Sequence, residues 1–183
     1  LGRTGGGKST LTKLIARFQD PGLGELLLGG IPLRDIDTNS LRDKVAFVNQ
    51  DVRLFSGSVR DNVTLFEHSV PDEAVTAAIH EVGLGHWLEQ LPNGLDEHIG
   101  FEGVGVSSGE AQLLAFARAY LKDPGLVILD EPSSRVDPAT EALLAQAMER
   151  LTRGRTSIII AHRLDTVATV DKILILQDGQ VVE

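Results

Sequence analysis

The residues best suited to chemistry stand near the start of the chain. Gly2-Arg-Thr-Gly-Gly-Gly-Lys8-Ser9 satisfies the pattern G-x-x-x-x-G-K-[ST]. The glycines Gly2, Gly5, Gly6 and Gly7 let the backbone take turn conformations and approach phosphate closely. Successive N–H groups from Arg3 and Thr4 through to Thr10, with the helix start that follows, favour anions. In such a loop the Lys8 ammonium reaches the β- and γ-phosphates and the Ser9 hydroxyl binds Mg²⁺. A flexible glycine turn ahead of a helix is the plainer reading, but the Lys-Ser pair and the amphipathic helix behind it weigh against that. The loop alone leaves open which nucleotide is used and what its energy drives.

A second candidate is Leu126-Val-Ile-Leu-Asp130-Glu131, four apolar residues ending in two carboxylates, 122 residues after Lys8. A buried strand followed by a polar turn is a common pattern. In a parallel sheet, however, this strand end and the loop can share one carboxyl edge, where ligands bind in open α/β sheets. Asp130 would then hold Mg²⁺, directly or through water. Glu131 would orient and deprotonate an attacking water.

The elements that must position these groups alternate between helix and strand, which predicts an α/β fold with a mostly parallel sheet. Apolar spacing predicts a helix over Ser9–Phe18, with Leu11, Leu14, Ile15 and Phe18 on one face. Gly24–Leu28 reads as a short strand before a Gly29-Gly30 turn, and Val45–Asn49 as another strand. Residues 58–121 read as mostly helical. Within them, Val75, Ile79, Val82, Trp87 and Leu88 form an apolar face, with breaks at Gly83 and Gly85. Leu126–Leu129 has the wholly apolar character of a central parallel strand. Asp137 as N-cap, Pro138 at the first helical position and Gly154 past the end delimit a helix to Leu151. Thr156–Ile160 is a further buried strand. Lys172–Leu176 and Gln180–Val182 form a closing pair around the Asp178-Gly179 turn.

Composition bounds the partners. The chain has 183 residues, enough for one domain with a sizeable core, and its 42% hydrophobic and 23% charged residues are those of an ordinary globular domain. A net charge of −9 argues against a nucleic-acid partner. With no cysteine, disulfides, thiolate metal sites and thiol catalysis are excluded. No apolar run approaches the ~18 residues of a membrane span. The chain opens with Leu1, without Met and without the strand that normally feeds a phosphate loop, so a fragment of a longer protein is expected.

Three further segments fall in a fixed order. Phe47-Val-Asn-Gln50-Asp51 follows a strand, Val106-Ser-Ser-Gly-Glu110 opens a helix, and Ile160-Ala-His162-Arg163 ends a strand. With Ser134-Arg-Val-Asp137 just after the acidic pair, this order resembles the nucleotide-binding domain of ATP-binding cassette (ABC) transporters across the whole chain. The resemblance implies a P-loop NTPase (RecA-like) core over about 1–50 and 122–183, with an inserted α-helical subdomain over about 51–121. The family's N-terminal antiparallel strands and the aromatic residue that stacks on adenine are lacking. It also implies ATP hydrolysis by head-to-tail dimers with two composite sites. Gln50 matches the glutamine that contacts Mg²⁺ or the attacking water and senses a transmembrane partner. Ser107, Ser108, Gly109 and Glu110 match the signature motif that caps the γ-phosphate bound by the opposite subunit. Asp137 matches the aspartate that touches the other subunit's phosphate loop, and His162 the histidine at the γ-phosphate. Each has a plainer alternative: a surface glutamine, a helix capping box S-x-x-E, a helix cap, a structural histidine.

The signature departs from the usual L-S-G-G-Q. Ser108 replaces a glycine, Glu110 the glutamine, and Ala111 stands where a basic residue is common. Phe101 occupies the place of a glutamate that touches the membrane part in many exporters, with Glu102 adjacent, and Asn49 replaces a frequent proline. Leu54-Phe55-Ser-Gly-Ser-Val-Arg-Asp-Asn62-Val63 and Gly94-Leu95-Asp96 look exporter-like. The resemblance therefore implies a transport ATPase on the cytoplasmic face of a membrane, its transmembrane domain fused upstream and its second ATPase domain identical or not. A soluble ABC ATPase, or a weakly hydrolysing half of a heterodimer, are the competing expectations.

Overall fold

A computed structural model describes residues 5–49, 51–100, 103–130, 136–161 and 170–182. Three parallel strands organise it: β3 (Val45–Val48), β6 (Leu126–Asp130) and β7 (Thr156–Ile160), with β6 in the middle. The register pairs Val45 with Leu126 and Val48 with Leu129. On the other side it pairs Leu126 with Thr156 and Asp130 with Ile160.

Side chains of a strand alternate between the two faces of its sheet, and here each face has its own core. Ala46, Val48, Val127, Leu129 and Ile159 face one cluster; Val45, Phe47, Leu126, Ile128 and Ile158 face the other. The apolar run Leu126–Leu129 is apolar throughout because both faces are covered.

The first cluster is built by helices. These are α3 (Val59–Thr64), α4 (Asp72–Glu81), α5 (Gly85–Gln90), α6 (Ser108–Leu121) and α7 (Pro138–Thr152). Helix α6 is its axis, packing on α3, α4, α7 and β3, with Leu113, Leu114, Phe116 and Ala117 at or below 1% exposure. Helices α4 and α5 are separated at Gly83, whose φ of +85° suits glycine. Gly85 instead begins α5. The short antiparallel pair β4 (Gly57–Ser58) and β5 (His98–Ile99) closes this region. Arg60 ties it together through ion pairs to Asp72 and Asp96.

The second cluster is smaller. Leu33, Leu41, Val45, Leu126 and Ile128 are buried, with Ile15, Leu26, Leu28 and Ile36 packed around them. Besides β3 and β6, the cluster draws on α1 (Lys8–Ile15), the hairpin β1 (Leu27–Leu28) and β2 (Ile31–Pro32) with the turn that follows it, and α2 (Thr38–Lys44). Gly29 and Gly30, at φ +58° and +82°, make the hairpin turn. Helix α2 has no apolar stripe long enough to announce it in the sequence. Asp37 caps it, its carboxylate accepting the Ser40 N–H at 2.9 Å.

Several elements are shorter than the sequence suggests. Helix α1 stops at Ile15, because Arg17 adopts a left-handed conformation (φ +54°) and directs its guanidinium to the carbonyls of Arg34 and Ile36. Phe18 therefore leaves the helix face, is 61% exposed, and meets Phe47 edge-to-face at 5.3 Å. Of Gly24–Leu28 only Leu27–Leu28 is strand. Of Lys172–Leu176 only Leu176 is, in the hairpin of β8 (Leu176–Gln177) and β9 (Gln180–Val181).

Candidate functional site

The phosphate-type loop enters α1 through two glycines with positive φ, Gly5 at +83° and Gly7 at +98°. L-residues adopt that region at a cost, so the pattern of glycines is a backbone requirement. Gly7 is the N-cap of α1, and no side chain caps the helix there. Side-chain caps stand on α2 (Asp37), α3 (Ser58 with Asp61), α6 (Ser107 with Glu110) and α7 (Asp137), whereas α1, α4 and α5 have none. A first turn without a side-chain acceptor keeps its N–H groups for an incoming anion.

Behind the loop, Lys8 is only 8% exposed and Thr12 only 2%. The Thr12 hydroxyl donates to the Ser9 carbonyl at 3.1 Å and tightens this turn. Ser9 and Thr10 are exposed. The tip of the β8–β9 hairpin rests against the loop: the Gly179 N–H donates to the Gly6 carbonyl at 3.2 Å, and a Cβ on Gly7 would lie 3.5 Å from the Gly179 backbone. This support was not legible in the sequence. Asp178-Gly179 announces a tight turn but says nothing of what the turn touches.

Asp130 ends β6, half-buried, opposite Ile160 at the carboxyl end of β7. Helix α1 packs against β7, and Asp130 shares the strand face of Leu126 and Ile128, which line the same cluster as Ile15, so α1 and Asp130 belong to one side of the sheet. Gly2, Arg3, Thr4, Gln50, Glu131 and His162 lie outside the described residues. A hydroxyl on Ser9 and a carboxylate on Asp130 are hard oxygen donors. They suit Mg²⁺, which prefers one or two protein oxygens with phosphate and water completing its shell.

The Val106–Glu110 segment folds as a full capping box. The Ser107 hydroxyl accepts the Glu110 N–H at 3.2 Å, and the Glu110 carboxylate accepts the Ser107 N–H at 2.7 Å. Gly109 is a packing requirement, since a Cβ there would collide with the Thr140 methyl on α7. The starts of α6 and α7 are thereby held side by side. Asp137 accepts from Ala139 N–H at 3.1 Å, Thr140 N–H at 3.0 Å and the Thr140 hydroxyl at 2.6 Å. Hydrogen bonds from the Thr140 side chain and then its backbone hold the Asp137 carboxyl below the usual carboxylate value.

The ABC transporter family matches residues 1–134. The chain belongs to that family. It corresponds to the ATP-binding domain of exporter-type members. It is 42% identical over 184 residues to an ATP-dependent lipid A-core flippase of Alcanivorax borkumensis, covering all of this chain and 32% of the flippase. It is 39% identical over 183 residues to a putative multidrug export ATP-binding/permease protein of Staphylococcus aureus, again covering all of this chain and 32% of the relative. A solved bacterial Atm1-family ABC exporter with ATP bound superposes with a TM-score of 0.89 at 35% identity, over all of this chain and 32% of that one. The chain thus spans about a third of the length of these relatives. No helix among the described residues is long and apolar enough to cross a membrane.

Set in the ABC fold, the ATP-binding domain shows two groupings. Gly5–Thr10 and Asp130 lie toward one side of the sheet. Ser107–Glu110 and Asp137 form a second, where α6 and α7 begin together. The sequence names the members of both. It does not reveal the long-range contacts that Arg118, Asn62 and Gly179 carry.

Proposed function

We propose that this domain binds and hydrolyses Mg²⁺–ATP to drive export across a membrane. The reading is carried by the uncapped α1 entered through positive-φ Gly5 and Gly7, with Lys8 drawn in behind them. Arg3, Thr4 and the N–H groups from Gly2 to Thr10 cradle the phosphates. Lys8 neutralises the β- and γ-phosphate charge. Ser9, Asp130 and Gln50 hold Mg²⁺, which draws charge from the phosphate oxygens when bound. Glu131 orients the attacking water and accepts its proton, and His162 contacts the γ-phosphate.

The second grouping serves a partner. In a head-to-tail dimer Ser107, Ser108 and Gly109 meet the γ-phosphate on the opposite domain, with Glu110 holding the Ser107 backbone in place. Asp137 touches the opposite phosphate loop. The family's membrane part, fused in relatives described as ATP-binding/permease proteins, docks on the helical subdomain over about 51–121. We infer that the domain then works on the cytoplasmic face of the membrane, without a nucleic-acid partner.

The decisive experiment is Glu131→Gln in the full-length protein. Removing the base is expected to lower ATP turnover at least ~100-fold while ATP binding persists. Unchanged turnover would overturn the assignment of this site.

A further inference from the structure

Helix α6 carries one cation that the phosphate chemistry does not use. Arg118 is half-buried near its C-terminal end. Among the described residues it has no carboxylate partner. Its guanidinium instead donates to three oxygens: Nε to the Asn62 carbonyl at 2.5 Å, and its two terminal nitrogens to the Arg53 carbonyl and to Asn62 Oδ1, each at 3.3 Å. Burial pushes this guanidinium below its ordinary pKa, yet it remains a cation.

Asn62, on α3, is fully buried. Its Oδ1 also accepts the Phe55 N–H at 2.8 Å, and its Nδ2 donates to the Phe55 carbonyl at 2.9 Å and the Ser58 carbonyl at 3.0 Å. Both donors and both acceptor positions of the amide are thereby used. One buried side chain thus grips Phe55 the way a neighbouring strand would. A second, Arg118, locks that grip to α6. The gripped segment, 53–58, begins three residues after Gln50. The helix that locks it begins at Ser107–Glu110.

We propose that Arg118 and Asn62 are positioning residues that couple the 53–58 segment to α6, so that nucleotide engaged at one end of α6 is felt at Phe55. The inference rests on the ATP-site reading above. The geometry favours transmission over simple stability for one reason. The apolar packing of α6 on α3 and α4 is already dense, so the packing holds these helices together. The polar bonds instead fix the backbone of a segment that is irregular up to Ser56 and carries the exposed Phe55, whose ring meets that of the exposed Phe66 at 5.7 Å.

The test uses the full-length protein carrying this domain, with a non-hydrolysable ATP analogue as probe and hydrogen exchange of amides 53–58 as readout. In the parent protein the analogue should change exchange at Phe55 at least about fivefold. Arg118→Lys keeps the charge and loses the forked geometry. It should abolish that response while analogue affinity stays within about twofold. Asn62→Asp keeps the acceptor for Phe55 and Arg118 but loses both donors. It should also abolish the response, even if its melting temperature is unchanged. A nucleotide response of parental size in both variants, or none in the parent, would overturn the coupling. Failure of the parent to bind the analogue would overturn the ATP-site reading itself.

Discussion

The two faces of the central sheet are covered by very different material. On one face α6 buries nine of its fourteen residues, seven of them apolar, against α3, α4, α7 and β3. On the other, the only buried residues of α1 are Lys8 and Thr12, both polar. One face is held by apolar burial; the other is held by loop geometry, Arg17 bridging to Arg34 and Ile36, and a small cluster around Leu41 and Ile128. Stability is therefore concentrated on the face that carries most of the helices, while the Gly5–Thr10 loop proposed to hold phosphate sits on the weaker one. Ligand-binding elements are commonly drawn from the low-stability end of a structure.

The largest expected effect tests this asymmetry directly. Leu114 is fully buried in the α6 core, so Leu114→Ala should destabilise by roughly 2–5 kcal/mol through lost transfer energy and a cavity. Ile15, only partly buried on α1, should cost about half as much. Denaturant midpoints of the two variants, at constant m, measure the difference. Equal losses would break the comparison.

Nucleotide should partly erase it. ATP at one hundred times its Kd adds about 2.7 kcal/mol to a folded state that alone binds it. The gain should show as slowed hydrogen exchange in α1 and the β8–β9 tip before α6, because Gly179 and Gly6 are bonded to each other. Lys8→Ala should remove this stabilisation and lower turnover at least ~100-fold. A Lys8→Ala protein stabilised by ATP like the parent would show that the loop is not where phosphate binds.

Capping separates α6 from α1 at smaller scale. Ser107→Ala removes the acceptor for the Glu110 N–H and should cost about 1 kcal/mol in thermal stability. Helix α1 has no such side chain to lose. If its first turn is reserved for phosphate, a Gly7→Ser variant should not gain a comparable cap, since φ +98° strains any L-residue there.

What the sequence made legible follows the same divide. The central strand Leu126–Leu129, the capped helix from Pro138, and the glycine-dependent turn of Gly5–Gly7 were readable because each rests on a local rule: apolar run, N-cap with Pro, glycine spacing. The helix break at Gly83 and the hairpin turns at Gly29-Gly30 and Asp178-Gly179 were readable for the same reason. Helix α2 was not, because its seven residues carry one buried side chain, Leu41. The early end of α1 was not, because it depends on where Arg17 finds carbonyls seventeen and nineteen residues away. Nor was the Arg118–Asn62 bridge, whose partners are 56 residues apart. Phe18 illustrates the cost of periodicity alone: it keeps the spacing of the α1 face and yet sits outside the helix.

The smallest expected effect is electrostatic. Asp61 and Asp137 are both caps with depressed pKa values. Asp61 is lowered first by the Ser58 hydroxyl and then by the Ser58 N–H; Asp137 is lowered first by the Thr140 hydroxyl. A folded-state pKa below the unfolded value of about 3.9 means that the unfolded chain binds more protons in that range. Their contribution is therefore complete above about pH 4 and is lost as pH falls through the lower folded values. Both caps belong to helices of the well-packed face, so acid should loosen that face first at its helix starts, α3 and α7, with its apolar centre intact. Asp61→Asn should flatten the fall of the thermal midpoint below about pH 4 and leave its value near neutrality little changed, since an asparagine side chain still accepts the Ser58 N–H. A parental acid slope in that variant would mean that carboxylates elsewhere, such as Asp37 on the weaker face, control the acid limb.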